Sequence, residues 1–183
     1  MEGHMTEFNF YIGIVGALVL VTGAFLPDKD VTHPAKSLKN WLFAGGGLMM
    51  LTYSLIGYFY GDATIFFSFV QGFALIAALL GIANIGDRWG LILTGGTGVI
   101  FLGWSLWLFE DYSTAIFIVG LIGISLGYVQ KMGTIRRFAA LALGGLALAL
   151  FSWIVGDKIF LTLNAFYAAF SAYRGYEILR KLK

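Results

Sequence analysis

The sequence predicts an all-α membrane protein with seven transmembrane helices, arranged as a parallel 3+1+3 repeat. Of the 183 residues, 59% are hydrophobic and 12% are charged, whereas soluble domains carry about a quarter charged residues. A helix needs about 20 mostly apolar residues to cross the hydrocarbon, and seven segments of about that length follow one another. The basic residues sort to one side of the membrane when these spans alternate.

The predicted spans are separated by short polar segments, and only the first connection is long enough to be a loop. They cover residues 8–26, 39–60, 62–84, 88–109, 113–130, 135–155 and 157–179. The chain has 25 glycines and two prolines, which favours close helix contacts with few kinks. The predicted organisation is a tail at 1–7, a three-helix bundle at 8–84, a linker helix at 88–109, a second bundle at 113–179 and a tail at 180–183.

Charge predicts the orientation of the chain, because Lys and Arg next to spans stay on the cytoplasmic side. One side carries Lys29, Lys36, Lys39, Arg88, Lys131, Arg136, Arg137, Arg180, Lys181 and Lys183. The other side carries Lys158 and most of the acidic residues, Glu2, Glu7, Asp62, Glu110, Asp111 and Asp157. We therefore expect a multi-pass protein of the cell membrane with its N-terminus outside and its C-terminus in the cytoplasm.

An internal repeat relates spans one to three to spans five to seven. Residues 14–16 have the same sequence as residues 118–120, Ile-Val-Gly. A second glycine follows seven residues later in each case, at Gly23 and Gly127. Two further features match. Gly61-Asp62 corresponds to Gly156-Asp157, and Gln71, four residues after Phe67, corresponds to Asn164, four residues after Phe160. Because span four intervenes, both repeat units enter the membrane in the same direction. Transporter folds often contain such repeats.

Gln71 and Asn164 are the strongest candidates for binding a solute. Both amides lie near the middle of a span, where a polar group is costly unless it finds a partner. In a bundle with two-fold symmetry they would face each other across the axis and offer donors and acceptors to a sugar or nucleoside. The alternative is that they only hydrogen-bond neighbouring helices.

Aromatic and hydroxyl side chains in spans two and six could complete such a site. Trp153 and Tyr53 are candidates for stacking on a ring-shaped solute, and Ser54 and Ser152 lie near them. Aromatic residues at these depths more often form an interfacial belt, which is the interpretation we favour for Trp104, Trp107 and Tyr58. Serine hydroxyls often bond the preceding helical turn instead.

Asp62 and Asp157 each follow a glycine at the start of a span. A carboxylate there can accept the free backbone N–H groups of the first turn and complement the helix dipole. We therefore predict helix capping, with a proton or cation site as the alternative.

The spans lack the residues that several classes of function require. Cysteine is absent, and His4 and His33 both lie outside the spans, which leaves no metal-binding pair and no catalytic triad. Span seven has Lys158 and Lys181 only near its ends, so a retinal Schiff base is not expected. We predict neither an enzyme nor a cofactor, and no partner among nucleic acids.

The chain resembles the SWEET sugar transporters and their half-size SemiSWEET relatives, of the PQ-loop superfamily. The resemblance rests on the 3+1+3 layout and on Gly16, Leu26-Pro27, Gly61-Asp62 and Gln71 in one half, and on Gly120, Gln130, Gly156-Asp157 and Asn164 in the other. The PnuC vitamin transporters share the plan, and residues 60–63 and 174–177 look like theirs.

The resemblance implies site residues and hinges. Family members contact the sugar through asparagines of spans three and seven, which fall on Gln71 and Asn164 here, and Trp153 looks like their pocket tryptophan. The proline–glutamine pair of the family reads Pro27-Asp28 in one half and Val129-Gln130 in the other. Pro27 and Gln130, with Gly23 and Gly127, are thus the expected gating positions.

The function expected from the sequence is facilitative transport of a small neutral polar solute by alternating access of the two bundles. The alternative is a seven-helix channel or a non-transporting membrane subunit of a larger complex. Expected partners are membrane lipids and the solute, and the sequence is compatible with a homo-oligomer.

Overall fold

The computed structural model describes residues 2–26, 34–61, 63–85, 87–130 and 133–181, which form seven α-helices and no strand. The helices are α1 Glu2–Phe25, α2 Leu38–Tyr60, α3 Phe66–Ala83, α4 Asp87–Trp107, α5 Tyr112–Val129, α6 Ile135–Ile154 and α7 Lys158–Lys181. A turn of 3-10 helix at Pro34–Lys36 precedes α2. Each helix coincides with one of the predicted spans to within a few residues, except at the start of α1.

Helix α3 begins four residues later than the sequence predicts. The N–H of Ala63 donates to the carbonyl of Gly57 at 3.2 Å, so the chain turns back onto the end of α2 first. The hydroxyl of Thr64 then accepts the N–H of Phe66 at 3.4 Å. These local bonds compete with the helical pattern, as hydroxyl side chains commonly do at helix starts.

Six helices, α1 to α6, are long and apolar enough to cross a membrane, counted over the described residues. This pattern is that of a multi-pass membrane protein. Helix α7 has 24 residues, which is sufficient length, but it carries polar and charged side chains along its second half. Among them, Arg174 Nη1 and Glu177 Oε2 form an ion pair at 3.1 Å. The seventh span and the 3+1+3 arrangement therefore stay predictions.

The chain divides into two compact units, residues 1–90 and 91–183. In the first unit α2 packs against both α1 and α3, and in the second α6 packs against both α5 and α7. The cores are aromatic and aliphatic: Phe67, Phe73 and Met50 are fully buried in the first unit, and Phe117 and Phe151 in the second. The rings of Phe117 and Phe151 lie 5.2 Å apart.

Glycines set the spacing of the first two helices in each unit. A Cβ on Gly23 of α1 would lie 3.2 Å from Leu42 Cβ of α2, and a Cβ on Gly127 of α5 would collide with Leu141 of α6. The nearest backbone nitrogens opposite these glycines are those of Phe43 and Leu141. In both units a glycine pair follows that residue by three and four positions, Gly46-Gly47 and Gly144-Gly145. Both pairs of helices thus pack in the same register.

Candidate functional site

The first unit buries a polar group at the contact of α2 with α3. Ser68 Oγ donates a hydrogen bond to Ser54 Oγ at 3.1 Å, and Ser54 Oγ donates to the carbonyl of Leu51 at 2.9 Å. Gln71 follows Ser68 by three residues, so it lies on the same face of α3. These three residues, Ser54, Ser68 and Gln71, form the first polar cluster.

Gln71 is the unusual member of this cluster. Its side chain is buried, with 4% of the residue exposed, yet none of the hydrogen bonds of the described residues involves its amide. An amide offers two donors and a carbonyl acceptor with two lone pairs. The first polar cluster therefore holds an amide whose hydrogen-bonding capacity the described chain leaves unused.

The second unit buries a comparable group at the contact of α6 with α7. Asn164 Nδ2 donates to Ser152 Oγ at 3.4 Å, and Ser152 Oγ donates to the carbonyl of Leu148 at 2.7 Å. Asn164 is 7% exposed and Ser152 is fully buried. Ser152 and Asn164 form the second polar cluster. The long bond to Ser152 uses one of the two amide donors of Asn164.

The structure brings together part of the site that the sequence predicts. Asn164 contacts Ser152, and Ser54 contacts Ser68, which lies on the same face of α3 as Gln71. The sequence analysis missed Ser68. Its signal was the spacing, because a serine three residues before Gln71 lies on the same helical face. The binding role of these residues stays a prediction.

The two predicted stacking residues differ in exposure. Trp153 is 71% exposed, because the next position on a helix points about 100° away from Ser152. Tyr53 is half-buried. The other aromatic residues considered above are also exposed near helix ends: Tyr58, Trp104 and Trp107. Trp153 thus has the exposure of an interfacial aromatic residue.

Three of the four predicted gating positions are described, and Pro27 lies outside the described residues. Gly23 lies against α2, and Gly127 lies against α6, as described above.

The carbonyl of Gln130, which ends α5, accepts a hydrogen bond from Arg137 Nη1 at 3.2 Å. The Arg137 guanidinium also lies over the Tyr128 ring, 5.8 Å from its centroid. Arg137 thus holds the turn between α5 and α6.

The carboxylates at helix starts act as caps in the second unit. Asp157 Oδ1 accepts the N–H of Phe160 at 3.0 Å, which confirms the predicted capping role, and Asp62 lies outside the described residues. Asp111 Oδ1 accepts the N–H of Ser113 at 2.8 Å and the N–H of Thr114 at 3.2 Å. The pKa of Asp111 lies below its ordinary value of 3.8, first because of the Ser113 hydroxyl and then because of these N–H bonds.

The clusters offer neutral hydrogen-bonding groups and no ionised side chain. Over the described residues, no group of three or more His, Cys, Asp or Glu side chains is placed to hold a metal ion. Comparison with known proteins adds nothing to this description: no protein-family model, curated protein or solved structure matches the chain. The functional argument therefore depends on the geometry of the two polar clusters.

Proposed function

We propose that the protein is a facilitative membrane transporter for a small neutral polar solute. The single observation that carries this proposal is a pair of buried amides, Gln71 and Asn164, in helices whose other buried residues are mainly apolar. A buried amide in hydrocarbon is costly unless its donors and acceptors are used. Gln71 has no partner among the described residues, and a solute supplies one.

The chemistry of the clusters favours a neutral solute. Serine hydroxyls and carboxamides donate and accept hydrogen bonds without carrying charge, which suits the hydroxyls of a sugar or the polar edge of a nucleoside or vitamin. The resemblance to SWEET and PnuC transporters points to the same class. In the proposed mechanism, the bundles at 8–84 and 113–179 rock around the solute and expose it to each side in turn.

The remaining parts of this proposal concern topology and assembly. The N-terminus is outside and the C-terminus is cytoplasmic, in accordance with the distribution of Lys and Arg. Alternating access requires no bond-making chemistry, so the proposal includes no enzymatic activity and no cofactor. The partners are the solute, membrane lipids and, if the protein associates, further copies of the same chain.

One observation favours a second function, that of a channel or a non-transporting subunit. The bond from Asn164 to Ser152 joins α6 to α7, and such bonds in membranes often serve only to hold helices together. On this interpretation Asn164 would contribute to stability and not to binding. Transport measurements on matched variants separate the two functions.

The test is uptake into proteoliposomes of labelled sugars, nucleosides and water-soluble vitamins. Once an accepted solute is found, we expect Gln71→Ala and Asn164→Ala each to lower its uptake about tenfold, the effect of losing one buried hydrogen bond to the solute. Thr162→Val is the control, because Thr162 is exposed on α7 and bonds only the carbonyl of Lys158.

Thermal unfolding of the same variants supplies the second readout. The transporter proposal requires the uptake of Asn164→Ala to fall more than its stability explains, and requires the solute to raise the melting temperature of the unmodified protein. Unchanged uptake of every accepted solute by both amide variants would show that these amides only join helices.

A further inference from the structure

Two tyrosines join the outer helices of the second unit, α5 and α7. Tyr128 is the penultimate residue of α5, and Tyr167 lies near the middle of α7. Their side chains share a hydrogen bond, and both residues are half-buried. Helix α6 packs against both α5 and α7. The tyrosine pair, Tyr128 and Tyr167, therefore links two helices that are each held by α6.

Arg137 fixes the position of this pair. Its guanidinium lies over the Tyr128 ring, 5.8 Å from the centroid, a cation–π contact that favours this placement of the ring. The guanidinium is itself held by the carbonyl of Gln130, and it interacts electrostatically with Tyr167. The pair is thus connected to the turn between α5 and α6, at one end of the unit.

The pair lies between the second polar cluster and that end of the unit. Tyr167 follows Asn164 by three residues, about 4.5 Å along the axis of α7 and on the same side of the helix. Farther along α7, a Cβ on Gly175 would lie 3.4 Å from Cβ of Phe138, the residue after Arg137. Helix α7 therefore runs from Asn164 past Tyr167 toward the turn between α5 and α6.

Close glycine contacts hold both outer helices to α6 at this level. A Cβ on Gly127 of α5 would collide with Leu141, and a Cβ on Gly145 of α6 would lie 3.2 Å from the nitrogen of Ala168 in α7. Neither contact joins α5 to α7. The tyrosine pair supplies that link, so its hydrogen bond opposes a separation of the two outer helices.

The first unit has no such pair at the equivalent positions. In the register of the repeat, Tyr128 corresponds to Ala24 and Tyr167 corresponds to Ala74. An alanine side chain ends at Cβ and offers no hydrogen bond. The link is therefore a feature that distinguishes the second unit from the first.

We propose that the tyrosine pair is a lock that closes the second polar cluster toward the turn between α5 and α6. While the phenols are bonded, α7 is held to α5; when the bond breaks, the outer helices separate and Asn164 becomes accessible from that end. The basic residues predict this end to be cytoplasmic. As a gate for a solute the lock rests on the proposed transport function, but its opening is measured without a solute.

Thiol labelling tests the lock. The chain has no cysteine, so Asn164→Cys introduces a single thiol, and its rate of reaction with N-ethylmaleimide in micelles reports access to the cluster. We expect Tyr128→Phe and Tyr167→Phe each to raise this rate about threefold, the factor that corresponds to one hydrogen bond between membrane helices. The double variant should equal the single ones, because both changes break the same bond. Tyr176→Phe, at an exposed position of α7, is the control.

A distance measurement supplies a second readout that keeps Asn164 in place. Spin labels on Leu126→Cys of α5 and Tyr173→Cys of α7, both at exposed positions, report the separation of these helices by pulsed electron paramagnetic resonance. We expect Tyr167→Phe to raise the ratio of longer to shorter distances about threefold.

Three results would overturn the lock. The first is an unchanged labelling rate together with unchanged distances in both phenylalanine variants. The second is a pair of effects that add in the double variant, which would show that the two hydroxyls act separately. The third is a lower melting temperature with unchanged labelling, which would show that the bond only stabilises the fold. Faster labelling in a protein that takes up none of the tested solutes would support the lock and count against the transport proposal, so the two proposals can fail separately.

Discussion

The two units repeat one plan but hold their helices together differently. In the second unit the backbones of α5 and α6 touch: a Cβ on Gly144 would lie 2.6 Å from the nitrogen of Ile124 and 2.9 Å from the carbonyl oxygen of Gly120. In the first unit the equivalent residue is Gly46, and a Cβ there would lie farther from backbone, 3.0 Å from the nitrogen of Leu20 and 2.8 Å from the flexible Leu20 Cγ. A repeat in sequence has therefore produced two helix contacts of different closeness.

The partner residue on the neighbouring helix explains this difference. Gly123 of α5 lies against Gly144, and its own Cβ would lie 2.6 Å from Gly144 Cα. In the register set by Gly16 and Gly120, the first unit has Val19 where the second has Gly123. A branched side chain keeps two helices apart, whereas paired glycines let backbones approach. Close contact thus depends on a glycine in both helices.

The second unit also has more side-chain caps at its helix starts than the first, over the residues described. In the second unit the side chains of Asp111, Thr134 and Asp157 cap α5, α6 and α7. In the first unit Ser37 makes no side-chain capping bond, and Ile65, which precedes α3, has no polar side chain. The second unit therefore has both closer helix packing and better satisfied helix ends over the residues described.

The largest expected difference between the units follows from adding one methyl group. Gly144→Ala should lower the stability by about 1–3 kcal/mol, because the new carbon meets backbone atoms that cannot move aside. For a chain of this length this is about 2–4 °C in melting temperature per kcal/mol. Gly46→Ala is the matched variant in the first unit and should cost less, because its Cβ meets mainly the flexible Leu20 side chain. Gly45→Ala is the control, with nothing within 4 Å, and should change stability by less than about 0.5 kcal/mol.

Thermal unfolding in detergent micelles measures both variants. Equal losses in Gly144→Ala and Gly46→Ala would contradict the difference in packing between the units. A double variant, Val19→Gly with Gly46→Ala, sharpens the comparison. If Val19 is what keeps α1 from α2, removing its side chain should make the added methyl group at position 46 more costly than it is alone.

Helix capping gives the next largest contrast. Asp157→Ala should cost about 1 kcal/mol, since the N–H of Phe160 loses its acceptor. Ser37→Ala should leave the melting temperature unchanged, because the Ser37 side chain makes no capping bond. A similar loss in both variants would show that the caps do not distinguish the units.

The cross-helix bonds give a smaller contrast. Ser152→Ala should cost about 0.6 kcal/mol or slightly more, because the Asn164 amide loses its only hydroxyl acceptor in the second polar cluster. Ser54→Ala should cost less, because the hydroxyl of Ser68 can bond a carbonyl of its own preceding turn. Melting temperatures of the two variants, with Thr162→Val as a common control, measure this; a larger loss in Ser54→Ala would contradict it.

Much of the fold was predictable from the sequence because apolar length alone defines a membrane helix. The helix positions and the cap at Asp157 both followed from local patterns. The contacts of the polar clusters did not follow, because a hydrogen bond between helices depends on rotation about each helix axis. The spacing places Ser68 on the face of Gln71, but it does not show that Ser68 bonds Ser54. The exposure of Trp153 likewise depends on which face of α6 packs inward.

The last prediction concerns Asp111, where the pH dependence of stability reports the cap of α5. Hydrogen bonds from Ser113 and Thr114 lower the pKa of this carboxyl below 3.8, so the folded state favours the charged form. Its contribution is complete above the pKa of the unfolded chain and is lost as the pH falls through the lower pKa of the folded chain. Asp111→Asn should therefore melt at a lower temperature than the unmodified protein at neutral pH, and the difference in melting temperature should disappear as the pH falls through the lowered pKa of Asp111. A difference that stays constant through this acid range would mean that the carboxylate charge does not stabilise the cap. Ser37 makes no side-chain capping bond and has no carboxylate, so the start of α2 should show no corresponding acid transition.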